Sequence, residues 1–280
     1  MSTDYQTARE TLGARLRELR LAAGLTGRGL AELLGWSPSK ISKLEHGRQT
    51  AAGGDVQAWT RACGAAEVAD ELIMQLRTLE THYTSWRRQL ATGTQARQRA
   101  FHELERRSRA LRNFESACVP GLLQTPDYAR YILRRTVELH GTPNDVEAGV
   151  RARVRRQELL ADPHRRFEFL LWEPALRLLI CPAEVMAGQL DRIAGLIGTG
   201  TVRIGIVPTN IEVTAVPTHG FWIFDDELVL VETIGAELRL ADADAITPYR
   251  RVFTELGRVA ARDHAARRVL ARIRRELPIP

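Results

Sequence analysis

Lysine is almost missing from this 280-residue chain: Lys40 and Lys43 are its only two, and the other strong cations are all arginine. Cysteine is nearly as scarce. Cys63, Cys118 and Cys181 stand far apart with no CxxC pair, which argues against a disulfide framework or a zinc site. No apolar run reaches the roughly 18 residues of a membrane span, and the first residues lack the apolar core of a signal peptide. These absences lead to the expectation of a reduced, cytoplasmic protein with no membrane partner. Catalytic signatures are missing as well. The seven histidines are scattered singly, and no HExxH, G-x-S-x-G or Walker loop occurs. Gly195, Gly198 and Gly200 follow a helical stretch and precede a strand, the reverse of the order a phosphate loop needs. The chain is therefore expected to be no enzyme, with no catalytic residue, metal or cofactor.

What is present is an ordinary globular composition, 44% hydrophobic and 26% charged, with a net charge of +6 and a pI near 9.7. That balance suits a polyanionic partner such as nucleic acid. The arginines run through the whole chain, however, so position is more informative than composition.

Leu12, Leu16 and Leu19 recur at helical spacing and predict a first helix, which Gly24 ends. Thr26 is placed to cap a second helix carrying Leu30, Ala31 and Leu34, and Gly35 makes a turn. Ser37 and Pro38 then suit the cap and first position of a third helix that runs towards Gly47. On that helix Ile41 and Leu44 face inward while Ser39, Lys40, Ser42 and Lys43 face out. Two short helices across a Gly-containing turn give the helix-turn-helix pattern. Val56, Trp59, Ala62 and Cys63 predict a further helix ending at Gly64, after a loop-like stretch over 49–56.

The series Leu19-Arg20, Gly24-Leu25-Thr26, Leu30-Ala31, Leu34-Gly35-Trp36-Ser37, Ile41-Ser42, Leu44-Glu45 and Gly47 resembles the DNA-binding domain of phage-repressor-like regulators of the xenobiotic-response-element type, over residues 12–62. The resemblance implies that the third helix lies in the major groove of double-stranded DNA. It places Pro38, Ser39, Ser42 and Lys43 towards base edges and Lys40 and Arg48 towards phosphates. It also implies a structural ion pair between Arg20 and Glu45. Gly27 stands where that family often has a phosphate-touching Gln, so Arg28 becomes the candidate for that contact. The expected DNA-binding set is Arg28, Ser37, Pro38, Ser39, Lys40, Ser42, Lys43 and Arg48. Physically, Lys40, Arg28 and Arg48 would add affinity by displacing counterions, and Ser39, Ser42 and Lys43 would read bases, Lys43 suiting guanine.

Further along, Leu72, Ile73, Leu76 and Leu79 continue helically. Trp86 to Arg112, with eight arginines against Glu103 and Glu105, reads as a long solvated helix. Strands are expected near Phe114–Val119, at Arg166–Trp172 and Val202–Val207, and at Phe221–Phe224 and Leu228–Val231 around a turn at Asp225–Glu227. Helices are expected from Thr125, over Val146–Leu160 with its cluster Arg151, Arg153, Arg155 and Arg156, over Pro182–Ile197, and from Thr247 to about Leu277. The acidic run Asp225–Asp244 reads as a solvated edge or a docking patch for a basic partner, and His219 and Trp222 as core rather than pocket residues.

The order Phe114-Glu115, Pro120-Gly121-Leu122-Leu123-Gln124-Thr125-Pro126, Arg153, Gln157, Glu173, Ala175-Leu176-Arg177, Gln189-Leu190, Tyr249 and Phe253 resembles actinomycete-type regulators that join such a reading head to a C-terminal domain of unknown function, over residues 66–277. That resemblance implies gene control, often beside a small partner protein encoded nearby. The expected architecture is an all-α helix-turn-helix domain (1–65), a helical connector (66–112) and an α+β domain with a small mixed or antiparallel sheet (113–280). The expected function is a sequence-specific transcriptional regulator that binds a two-fold operator as a homodimer, its C-terminal domain sensing a small-molecule effector or binding a partner protein. The alternative is an antitoxin-like interaction module that holds a small protein and binds DNA for autoregulation.

Overall fold

The computed structural model describes residues 4–216 and 218–279, and the chain divides into two units, Met1–Thr84 and Ser85–Pro280. The first is all helical: α1 (Asp4–Ala22), α2 (Gly27–Leu34), α3 (Pro38–Glu45), α4 (Gly53–Ala62) and α5 (Ala69–His82). Its core is the apolar side of these helices, with Leu12, Leu16 and Leu19 packed among Leu30, Ile41, Leu44, Val56, Trp59, Leu72 and Leu76. The indole N–H of Trp59 donates to the Leu16 carbonyl at 3.0 Å, so this large buried ring leaves no orphan donor. Helix α1 crosses α3 at Gly13, where a Cβ would stand 2.5 Å from the Leu44 carbonyl oxygen.

The boundaries follow the capping chemistry. The Thr26 hydroxyl accepts from the Gly29 amide at 3.0 Å, Gly35 ends α2 in the left-handed region at φ 64°, and the Ser37 hydroxyl accepts from the Lys40 amide at 3.2 Å. Helix α4 starts earlier than the small residues of 49–56 suggest. Gly53 and Gly54 occupy its first turn, where amides need no intrahelical partner, and the Asp55 carboxylate accepts from the Ala52 amide at 3.1 Å.

The short β1 (Tyr83–Ser85) spans the boundary between the units. The second unit continues with α6 (Trp86–Gln89), α7 (Thr94–Arg107), β2 (Ala110–Glu115), α8 (Pro126–His140), α9 (Val146–Arg156), β3 (Arg166–Trp172), α10 (Ala183–Leu196) and β4 (Val202–Val207). There follow β5 (Phe221–Phe224), β6 (Leu228–Glu232), β7 (Ala236–Leu240), α11 (Ala243–Val259), β8 (Ala261–Arg262) and α12 (Asp263–Arg275). Within this unit the strands form a mixed sheet in the order β7-β6-β5-β2-β3-β4-β8. Strands β2, β3 and β4 are parallel, and the pairs β2–β5, β5–β6, β6–β7 and β4–β8 are antiparallel. The architecture is α+β, as expected.

Strand alternation divides the core in two. Phe167, Phe169 and Leu171 of β3 join α7, α8, α10 and α12 on one face, where Phe101, Tyr128, Met186, Leu190 and Leu270 are buried. Leu170 faces the other side, with Phe253 and Leu256 of α11. From β2 the chain moves through β3 to β4, then returns across β2 to lay down β5. The order of strands therefore reverses beside the carboxyl end of β2.

Several expectations are corrected. Trp86–Arg112 is not one solvated helix but α6, α7 and the first half of β2, and α7 buries Gln98, Phe101 and Glu105. Strand β2 begins at Ala110 because its polar members have partners. Arg112 pairs with Asp226 at 2.5 Å, and the Asn113 amide donates to the Phe221 carbonyl at 3.0 Å. The acidic run is not simply a solvated edge: Asp225 accepts from the Arg109 and Ala110 amides, and Glu237 is buried against Arg97. The last helical stretch opens at Ala243, holds Pro248 within α11, and is broken by β8.

Candidate functional site

Helix α3 is amphipathic across its short width. Ile41, Leu44 and Glu45 are buried, and Pro38, Ser39, Ser42 and Lys43 are exposed. Its far end is fixed by the Arg20–Glu45 pair. The guanidinium donates to both carboxylate oxygens at 2.5 and 3.0 Å, and a third donor reaches the Leu25 carbonyl at 2.8 Å. Hydrogen bonding to Glu45 holds the guanidinium pKa above its ordinary value in spite of burial. The pair thus clamps α1, the α1–α2 turn and α3 together.

The near end of α3 is held by Lys40. Its ammonium lies 2.7 Å from an Asp55 carboxylate oxygen and 3.6 Å from the centre of the Trp36 ring. Lys40 is half-buried, so its charge is directed at α4. Asp55 and Trp36 are thereby the residues that position the helix, and no spacing in the sequence marks them. Ser37 is exposed with its hydroxyl engaged as a cap. Arg28 in the first turn of α2, Lys43 on α3 and Arg48 beyond it are exposed and, among the described residues, form no ion pair. The outer face therefore offers free cations and small hydroxyls on a rigid support, the chemistry that phosphate and base-edge contacts require.

The second unit holds a cavity of about 450 Å³. His219 and Trp222 line it, contrary to their reading as core residues, together with the turn after β2 and the end of β6. Burial first, then Glu232, push the Glu115 carboxyl in this cavity well above the usual carboxylate range. Burial likewise raises the Cys118 thiol, which leaves it a poor nucleophile. Among the described residues no group of three or more His, Cys, Asp or Glu side chains could hold a metal ion, and no helix is long and apolar enough to cross a membrane.

Comparison with known proteins agrees with both units. Residues 11–72 match a family model described as "Helix-turn-helix domain", and residues 98–272 match one described as "Domain of unknown function (DUF5753)". No curated protein matches the chain. A solved structure described as "Structure of TrmBL2, an archaeal chromatin protein, shows a novel mode of DNA binding" is 12% identical, with 85% of this chain and 88% of that chain covered. Its TM-score of 0.31 is too low to carry an argument. The larger match covers more than half of the chain, so the protein belongs to the family described as "Domain of unknown function (DUF5753)" and carries before it the helix-turn-helix domain of a DNA-binding regulator.

Proposed function

We propose that this protein is a sequence-specific transcriptional regulator that binds a two-fold operator as a homodimer and answers to a small molecule held in its C-terminal unit. The observation that carries the reading is the division of α3 into a buried, ion-paired side and an outer face with Ser39, Ser42 and Lys43 free. Lys43 would read base edges, with guanine O6 and N7 its best partners, and Arg28 and Arg48 would meet phosphates. Lys40, turned to Asp55, serves to aim the helix. One head of this size reads few base pairs, so a second copy at a half-site about one helical turn away would complete recognition. The cavity in the second unit favours a small-molecule effector over a protein partner. The reading includes no enzymatic activity.

Footprinting of genomic DNA bound by the full chain, at stated salt, tests it. Protected sites with two-fold symmetry support the proposal. Protection without sequence preference refutes sequence-specific reading, and an asymmetric single half-site refutes the dimer.

A further inference from the structure

The cavity sits where the order of strands reverses, beyond the carboxyl end of β2. In open sheets with a parallel centre, such a crevice is where ligands bind, because diverging connections leave space between them. Its rim at the sheet comes from three segments distant in sequence, Ser116–Val119 after β2, Thr218–Gly220 before β5 and Glu232–Ile234 at the end of β6, and the rest of its wall comes largely from α7, α8 and α9. A volume of about 450 Å³ accommodates a metabolite.

Among the described residues three arginines line this space, and their partners differ. Arg97 is neutralised by Glu232 and Glu237. Arg156 is paired with Glu105 through two bonds of 2.8 and 2.6 Å. Arg153 is only 9% exposed, yet among the described residues no carboxylate lies within ion-pair distance of it. Its guanidinium donates to two neutral amide oxygens, Gln98 at 3.2 Å and Gln124 at 2.6 Å. The Gln124 amide nitrogen donates in turn to the Val119 carbonyl, which fixes its oxygen towards Arg153. A buried guanidinium with no contact ion pair is costly, and this one is oriented by neutral groups while Glu232 and Glu105 act on it only from farther away. Burial and Arg156 lower its pKa to about 10, so it remains a cation at neutral pH. The wall is mixed: Trp222 and Phe101 meet edge to face at 5.6 Å and the strongly exposed Leu139 and Ile234 lie among the lining residues, alongside Glu232, which pairs with Arg97, and Glu115, whose carboxyl burial pushes up towards its neutral form.

We propose that this cavity binds a small organic anion, whose carboxylate or phosphate meets the Arg153 guanidinium while an apolar body lies against Trp222 and Phe101. The proposal rests on the reading of the C-terminal unit as the effector-sensing part, and supplies the chemical class of the effector. The apolar part of the wall favours an organic anion over a bare inorganic one. The unpaired cation selects against a neutral one.

The test is a titration of the full chain with 8-anilinonaphthalene-1-sulfonate, an aromatic anion of suitable size, followed by competition with 1-naphthoate, 1-naphthyl phosphate and 1-naphthol. One saturable site per chain is expected. At least one of the two anions should displace the probe at a concentration ten or more times below that needed for 1-naphthol, and the stronger identifies the favoured group. Arg153→Met should weaken probe binding at least tenfold with the near-ultraviolet circular dichroism retained. Should that variant fail to fold, Ile234→Glu, at an exposed position among the lining residues, should weaken the probe and both anions but not 1-naphthol. Absence of a saturable site, equal competition by 1-naphthol, or unchanged affinity in the folded variant overturns the proposal. No DNA is present in this assay, so its failure leaves the operator reading intact. Conversely, a failed footprint leaves the cavity assignment standing.

Discussion

Replacing Glu45 by alanine should cost the first unit a large part of its stability, and the structure sets the scale. Arg20 and Glu45 have side chains only 9% and 6% exposed. Removing the carboxylate leaves a buried guanidinium with one remaining acceptor, the Leu25 carbonyl. Breaking a buried pair in this way costs about 3–5 kcal/mol. A helical unit of this size has a total stability of roughly 4–13 kcal/mol. The variant should therefore populate open forms of α1 and α3 far more often than the parent. Hydrogen exchange on the full chain, read by mass spectrometry, measures this directly. At 1.4 kcal/mol per factor of ten, protection in α1 and α3 should fall by about 100-fold or more. Peptides from the sheet of the second unit should not change and serve as the internal control. The double substitution Arg20→Met with Glu45→Leu removes both charges and keeps apolar volume, so it should recover most of the protection. A loss below tenfold in Glu45→Ala, or a double variant as unprotected as the single, would refute the argument that the pair is a desolvated clamp.

Other expectations are narrower. Lys43→Ala should relax preference at one operator position, whereas Arg28→Ala or Arg48→Ala should weaken all duplexes and lower the salt slope by about 0.9 per lost phosphate contact, both read by anisotropy across a salt series. Lys40→Ala should instead leave the salt slope nearly unchanged and cost about 1 kcal/mol of stability, like Asp55→Ala, because the ammonium is held by Asp55 and the Trp36 ring. Gly13→Ala should destabilise by about 1–3 kcal/mol in thermal denaturation, since the new methyl would meet the Leu44 carbonyl oxygen at 2.5 Å. Asp145 caps α7 by accepting from the Thr94 and Gln95 amides at 2.7 and 2.8 Å. Burial opposes its ionisation, but these bonds and the Thr94 hydroxyl outweigh it and hold its pKa below the usual value. The stabilisation is then complete above an unfolded pKa of about 3.9 and disappears as pH falls through the lower folded value; denaturation across that window should show the loss, and Asp145→Ala should flatten it.

Helix α3 was legible in the sequence because its determinants are local. Thr26, Gly35, Ser37 and Pro38 act within a few residues of themselves, and Ile41 and Leu44 show their face by spacing alone. The strands at Arg166–Trp172 and Val202–Val207 were equally plain, being apolar runs between breakers. The polar interior was not legible. Arg97 meets Glu232 and Glu237 across more than 130 residues, and nothing near Arg97 in the chain distinguishes it from the exposed Arg106. The same blindness hid β7, whose Glu237 looks solvated until Arg97 is placed beside it. It also left the arginines of α9 as one undivided cluster, whereas Arg153 and Arg156 turn inward while Arg151 and Arg155 remain outside. At the candidate site, the outer residues were identifiable from type and spacing. The orientation of Lys40 was not, because its partner Asp55 belongs to the next helix.

The reversal of strand order gives the second unit a division of labour that operates over evolutionary time. The three segments at the rim of the cavity are mostly connections rather than strands, with Glu232 the last residue of β6 and Val119 buried in the core beside β3. Substitution of their cavity-facing residues outside the core should change what the cavity accepts while leaving the registers of β2, β3 and β4 alone. Arg153, by contrast, comes from a helix and is held by two glutamines. If the cavity holds the proposed anion, such a plan would keep the demand for the anion fixed and let the rest of the ligand drift without redesign of the scaffold or of the helix-turn-helix domain.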